Sequence, residues 1–111
     1  MDINELQEQI VRFRDERNWR QFHNPKDLAI SVSLEAAELL EVFQWSGADL
    51  TAGGKRDKIE EELADVMIYC GLMADAMGFD VAQIVQKKLA RNAEKYPVEK
   101  AFGKSDKYTE L

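Results

Sequence analysis

Two pairs of acidic residues, on helix faces that should point inward, constrain this chain most strongly. Glu35 pairs with Glu38 and Glu62 with Asp65, each at i, i+3 spacing, which places both carboxylates of a pair on one helical face. At about 100° per residue, the apolar neighbours on these faces are Val32, Leu39, Val42 and Phe43 around Glu35, and Ile59, Val66, Tyr69, Cys70 and Met73 around Glu62. Because a buried acid without a partner is very costly, four inward carboxylates predict a site for a hard cation.

The alternative interpretation of such acids is a solvated surface. We expect that role for Glu41, Glu60, Glu61 and Asp75, which fall outside the two pairs. A di-iron centre would need Glu-x-x-His on facing helices, and the single histidine, His23, lies outside any such motif. Ligation by oxygen alone favours Mg²⁺, with Mn²⁺ possible, over zinc or copper.

Composition limits the classes of function. With 111 residues, 45% of them apolar and 32% charged, the chain is expected to form one helical domain over residues 1–111. A formal net charge of -6 argues against binding a nucleic-acid polymer. No apolar run approaches the roughly 20 residues of a membrane span. One cysteine and no signal-peptide pattern at the N-terminus predict a cytoplasmic protein.

Periodicity and capping residues predict four helices and no strand. The helices are expected over residues 3–16, 24–45, 57–77 and 80–95, followed by a polar C-terminal tail over 98–111. The capping residues at their starts are Asp2, Asn24, Asp57 (with Glu60 three residues on) and Asp80. Short connections favour an all-α four-helix bundle with the second and third helices antiparallel. Their apolar arcs are wider than one small bundle needs, which predicts a homodimer or homotetramer.

Three segments carry a resemblance to a known family. The runs 34–39 (LEAAEL), 43–45 (FQW) and 61–69 (EELADVMIY) resemble the signature of the all-α MazG-like nucleoside triphosphate pyrophosphohydrolases. Residues 16–23, 88–97 and 107–111 are further similar to the dCTP pyrophosphatase branch of that family. The resemblance therefore extends over nearly the whole chain.

The resemblance implies a reaction and a role for the four acids. A deoxynucleoside triphosphate, dCTP or a modified dCTP, is cleaved between its α- and β-phosphates, which cleanses the nucleotide pool. Glu35, Glu38, Glu62 and Asp65 hold Mg²⁺, which neutralises phosphate charge and activates a water. Glu35 or Glu38 is the candidate catalytic base.

The fourth predicted helix supplies positive charge. Lys88, Asn92 and Lys95 share one of its faces, at i, i+4 and i+7, and Tyr96 follows. A solvated basic stripe is the alternative. By the family likeness these four residues contact phosphate or sugar, in the site of their own chain or of a neighbouring subunit, and Tyr69 packs on the deoxyribose.

Two tryptophans, Trp19 and Trp45, are candidates to bind the nucleobase, with a core role as the alternative. Mammalian members of the branch carry a histidine near the base where this chain has Ile10. Other substrates therefore stay open, namely dUTP, another noncanonical nucleotide or phosphoribosyl-ATP. A non-catalytic helical interaction module is the alternative from a different functional class.

Overall fold

The computed structural model describes all 111 residues and is entirely helical, which confirms the all-α fold class. The helices are α1 (Ile3–Glu16), α2 (Pro25–Glu41), α3 (Arg56–Met77), α4 (Val81–Lys95) and α5 (Val98–Ala101), with short 3-10 turns at Trp19–Phe22, Gly53–Lys55 and Tyr108–Glu110. The predicted tail thus contains two short helical turns.

Local capping explains most helix ends. Asp2 and Glu5 form a reciprocal capping box at the start of α1. Asn24 and Asp80 each accept the backbone N–H of the third residue of their helix, over 2.9 Å. Gly78 ends α3 with a φ of 70°, a left-handed conformation that glycine adopts without steric cost.

Two predicted ends differ from the structure. The second helix stops at Glu41, four residues early, and the chain continues through turns held by i to i-3 bonds, such as Phe43 N–H to the Leu40 carbonyl at 3.0 Å. The predicted cap at Asp57 is wrong, because the 3-10 turn Gly53–Lys55 leads directly into α3 and no side chain caps it.

Helices α2 and α3 form the most extensive packed pair, and α1 lies on α3. Gln7 of α1 donates a hydrogen bond from Nε2 to the Gly71 carbonyl of α3 at 2.7 Å. A Cβ atom at Gly71 would lie 2.6 Å from Oε1 of Gln7, so glycine permits this close approach.

The fourth helix departs from the predicted bundle. The connection 78–80 bends the chain by 99° between the two flanking helical segments, so α4 leaves α3 nearly at right angles. Its principal contact is with α1. The four helices therefore do not close into one bundle within a single chain, because the short connection redirects α4 instead of folding it back along α3.

The core of the single chain is sparse. Only 8 of 111 residues are buried, and the radius of gyration is 17.3 Å, whereas a compact domain of this length has about 13 Å. Large apolar side chains such as Leu6, Phe13 and Met67 remain exposed on the helices. No single helix has the length and apolar character to cross a membrane, although Gly53–Met77 and Val81–Lys95, a bent pair, pass that test together.

Candidate metal centre

Three of the four predicted acids converge. Carboxylate oxygens of Glu35 on α2 and of Glu62 and Asp65 on α3 lie within 4.8 Å of one another. The i, i+3 spacing aligns Glu62 with Asp65, and the packing of α2 against α3 brings Glu35 to them.

Burial distinguishes this cluster from a solvated acidic face. Glu62 is only 5% exposed, and Glu35 and Asp65 are half-buried. The Oε2 atoms of both Glu35 and Glu62 are buried without a hydrogen-bond partner. Because unpartnered buried carboxylate oxygens are costly, these atoms fit a cation of oxygen-ligand preference such as Mg²⁺ or Mn²⁺.

The fourth acid, Glu38, lies at the rim of the cluster and is exposed. A side-chain hydrogen bond with Glu35 and the negative charges of Glu35 and Glu62 raise the pKa of the Glu38 carboxyl. Glu38 is thus adjacent to the three converging acids without being one of them, and it holds a proton more readily than an isolated glutamate does.

A lysine that the sequence analysis missed pairs with the cluster. Nζ of Lys58 lies 2.7 Å from Oε1 of Glu62, one helical turn away on α3. This hydrogen bond is the largest of the influences that lower the pKa of Glu62. The signal in the sequence was the i, i+4 spacing, which is equally common on solvated helix faces.

Glu62, Glu38 and Lys58 open onto a cleft of about 680 Å³ between α2 and the start of α3, whereas Glu35 and Asp65 do not line it. It is lined by Glu38, Glu41, Val42, Lys55, Lys58 and Glu62. Glu41, expected only on the solvated surface, therefore also faces the cleft. The cleft thus combines one buried acid, Glu62, and two exposed acids with two lysines.

Trp45 lies next to this cleft. It stands in the turn that follows α2, is 85% exposed, and lines a second, smaller pocket with Asp49 and Gly54. The two pockets share Val42 and Lys55. An aromatic surface and the acid cluster are thus neighbours at one end of the α2–α3 pair.

Trp19 is placed differently. Its ring stands edge-on to Phe13 of α1, with centroids 5.8 Å apart, and Arg17 lies over the Phe13 ring at 3.7 Å. Trp19 does not line the acid cleft or the Trp45 pocket. The structure of one chain therefore does not bring the two tryptophans to a common pocket.

The predicted phosphate-binding residues of α4 do not line the cleft in the single chain. Lys88 is exposed, Asn92 is half-buried, and Nζ of Lys95 lies 5.0 Å from the centre of the Tyr108 ring. Tyr96 stands edge-on to Tyr108 at 5.9 Å. The C-terminal segment thus packs on the end of α4.

Tyr69 lies on α3, one turn beyond Asp65, and is half-buried.

Asp75, expected to be solvated, instead pairs with the buried Arg14 of α1. That expectation was wrong because the partner lies far away in the sequence.

The fold and the acid cluster together define the class of protein. It is an all-α protein in which the two longest helices bring three carboxylates together at a candidate divalent-cation site. The MazG-like family matches residues 30–111, a range that includes both acidic pairs, and the chain belongs to this family.

Individual relatives agree with this assignment. The chain is 37% identical over 106 residues to dCTP pyrophosphatase 1 of Mus musculus, and the match covers 91% of this chain and 62% of the mouse protein. The Homo sapiens protein of that name is also 37% identical over 106 residues. This chain thus spans less than two thirds of the length of these relatives. The predicted resemblance to the dCTP pyrophosphatase branch is confirmed.

A solved structure gives the same result for the fold. The crystal structure of a pyrophosphatase from Archaeoglobus fulgidus superposes with a TM-score of 0.77 at 39% identity, over 86% of this chain and 92% of that chain.

Proposed function

We propose that this protein is a Mg²⁺-dependent pyrophosphohydrolase of deoxynucleoside triphosphates, with dCTP or a modified dCTP as substrate. The observation that carries the proposal is the pair of buried, unpartnered oxygens on Glu35 and Glu62 beside Asp65, next to the exposed Trp45. The names of the relatives, dCTP pyrophosphatase 1 and pyrophosphatase, support it. We treat residues 1–111 as one domain and expect it to work in the cytoplasm.

Glu35, Glu62 and Asp65, with Glu38 at the rim, would hold the metal. When bound, the ion supplies neutralisation of triphosphate charge and a more acidic water. Glu38 is the candidate base, with Glu35 as the alternative. Glu38 lies exposed at the rim of the cluster, which suits a group that takes a proton from the attacking water. That water oxygen joins phosphorus, the bond to the bridging oxygen between the α- and β-phosphates breaks, and pyrophosphate leaves.

The remaining contacts follow from the layout of the cleft. The nucleobase stacks on Trp45 while the triphosphate extends past Lys55 toward the acids, since the two pockets share that lysine. Tyr69 packs on the deoxyribose, and Trp19 completes the base pocket only if it comes from another copy.

A second copy of this chain is the partner we propose, as a homodimer or homotetramer. An apolar groove of about 400 Å³ between α1 and α3, lined by Leu6, Phe13, Met67 and Ile68 among others, remains open in the single chain. Lys88, Asn92, Lys95 and Tyr96 do not reach the cleft of their own chain. We propose that they enter the cleft of the neighbouring copy and stabilise the phosphate charge.

The test is a panel of triphosphates with detection of pyrophosphate. We expect dCTP to be the preferred substrate, and equal rates with CTP would contradict the role of the deoxyribose. Ile10 lines the apolar groove and cannot hydrogen-bond a base, which favours including dUTP, noncanonical nucleotides and phosphoribosyl-ATP. Calorimetry with Mg²⁺ and a non-hydrolysable dCTP analogue separates an enzyme from an interaction module, since the module would bind neither.

A further inference from the structure

The contact between Lys58 and Glu62 places a positive charge on the acid cluster. Nζ of Lys58 lies 2.7 Å from Oε1 of Glu62. The other oxygen of Glu62, and one oxygen of Glu35, are buried with no partner. No other lysine or arginine forms an ion pair with Glu35, Glu38, Glu62 or Asp65. Lys58 is therefore the single counter-ion of the cluster within the chain.

A monovalent ammonium at this position competes with a divalent ion for the same carboxylate. Both need an oxygen of Glu62, and two cations a few ångströms apart repel each other in the partly buried cleft. Lys58 can leave without disturbing the helix, because its ammonium sits on a flexible four-carbon stem and more than half of its side chain is exposed.

We infer that Lys58 is a displaceable counter-ion, which neutralises Glu62 in the metal-free protein and is released when a divalent ion binds. This inference rests on the metal site of the proposed function. Breaking the Lys58–Glu62 contact offsets part of the favourable free energy of ion binding. The lysine therefore weakens metal binding in the absence of nucleotide. The released ammonium stays at the cleft beside Lys55, which also lines it.

The first test measures Mg²⁺ binding by calorimetry without nucleotide, in the wild type, K58Q and R56Q. Arg56 is an exposed residue at the start of the same helix and forms no ion pair, so R56Q changes the net charge equally. We expect K58Q to bind Mg²⁺ at least about fivefold more tightly than R56Q, because its site needs no displacement. Equal or weaker binding by K58Q overturns the inference.

The second test follows the ammonium group of the wild type directly, and K58Q serves only to assign its resonance. In protein labelled with ¹⁵N-lysine, the NH₃⁺ resonance of Lys58, assigned by its loss in K58Q, should be shifted by its contact with Glu62. We expect Mg²⁺ at saturation to move it toward the position of a free lysine, with Glu61, 3.9 Å from Nζ, as the one acid that stays near it. A resonance that is unchanged while calorimetry records binding overturns the inference.

Failure of the proposed metal site and failure of the displaceable Lys58 give different results in these tests. If none of the three proteins binds Mg²⁺, the metal site of the proposed function is wrong and this inference falls with it. If the wild type binds Mg²⁺ and K58Q matches R56Q, the inference alone is wrong and the proposed function stands.

Discussion

Arg14 of α1 is 3% exposed and donates through Nη1 to Oδ2 of Asp75 on α3, at 2.5 Å, while its Nε and Nη2 bond Asp15. The pair joins two helices across 61 positions of sequence. A buried guanidinium is stable only when its donors are paired. The contact therefore attaches α1 to the helix that carries Glu62 and Asp65.

Replacing Asp75 with asparagine should lower the free energy of unfolding by about 1–3 kcal/mol, because Arg14 loses its charged interhelical partner and keeps only Asp15. Urea denaturation of D75N at about pH 7 measures the loss. D106N is the matched control, since Asp106 is exposed and forms no ion pair. Equal midpoints for the two variants would mean that the Arg14–Asp75 contact is not stabilising.

Much of this architecture could be predicted because it is local. Caps at Asp2, Asn24 and Asp80 lie beside the helices that they start, and their spacing is visible in the sequence. The convergence of the acids also follows from helical phase, since apolar neighbours set which face of each helix turns inward.

Features that depend on distant partners could not be predicted. Asp75 has the same local pattern as a solvated acid, and only the fold brings Arg14 to it. A three-residue connection after α3 permits more than one helix direction, so the 99° turn into α4 was not visible. Lys58 has the spacing of an ordinary surface pair, and the burial of Glu62 gives it significance.

The stability of the protein should fall as the pH drops below the ordinary pKa of histidine. Burial, followed by the positive charge of Arg14, lowers the pKa of His23 from its ordinary 6.5, and Nδ1 is buried without a partner. In the folded protein His23 thus resists protonation. Its contribution is fully present above pH 6.5 and is lost as the pH falls through the lowered folded-state pKa.

Chemical denaturation of the wild type and H23Q between about pH 5 and pH 8 checks this sign. In that window the free energy of unfolding of H23Q should change less with pH than that of the wild type. Near pH 8, where the histidine is neutral, the difference in free energy of unfolding between the two proteins measures packing alone. Parallel curves would show that His23 does not carry the pH dependence.

The variant E38Q should lose turnover and keep its fold. Removing the candidate base lowers kcat by about 10²–10⁴-fold. In EDTA at neutral pH the variant should be at least as stable as the wild type, because the raised pKa of Glu38 means that its ionised form is repelled by its neighbours. That advantage should shrink as the pH falls through the raised folded-state pKa of Glu38, which lies above the ordinary 4.5, because the wild-type carboxyl then takes up a proton and is no longer repelled.

The control for this variant is E60Q, an exposed acid on α3 away from the cleft lining, which should retain activity. Full turnover by E38Q would remove Glu38 from the proposed machinery and leave Glu35 as the candidate base.

Trp45 should contribute affinity for the base without contributing to the fold. Trp45 is 85% exposed, and stacking is worth about 1–3 kcal/mol per base, which is about 5- to 150-fold in affinity. Calorimetry of W45A with a non-hydrolysable dCTP analogue should record a loss in this range at unchanged melting temperature. F102A removes an equally exposed aromatic ring and should bind as the wild type does; if both variants bind normally, the base does not stack on Trp45.

The apolar groove between α1 and α3 predicts that a charge at Met67 breaks the assembly. Met67 is 60% exposed in the single chain and lines the groove with Phe13 and Ile68, so a glutamate there would be buried without a partner if a second copy covers it. Sedimentation of M67E should give the 12.7 kDa of one chain, and the wild type a multiple of that mass. L50E, which charges an exposed apolar residue in the loop before α3, should keep the mass of the wild type. Turnover should fall together with the mass, because Lys88 and Asn92 of one copy are proposed to serve the cleft of the other; a monomeric M67E with full activity would contradict that shared site.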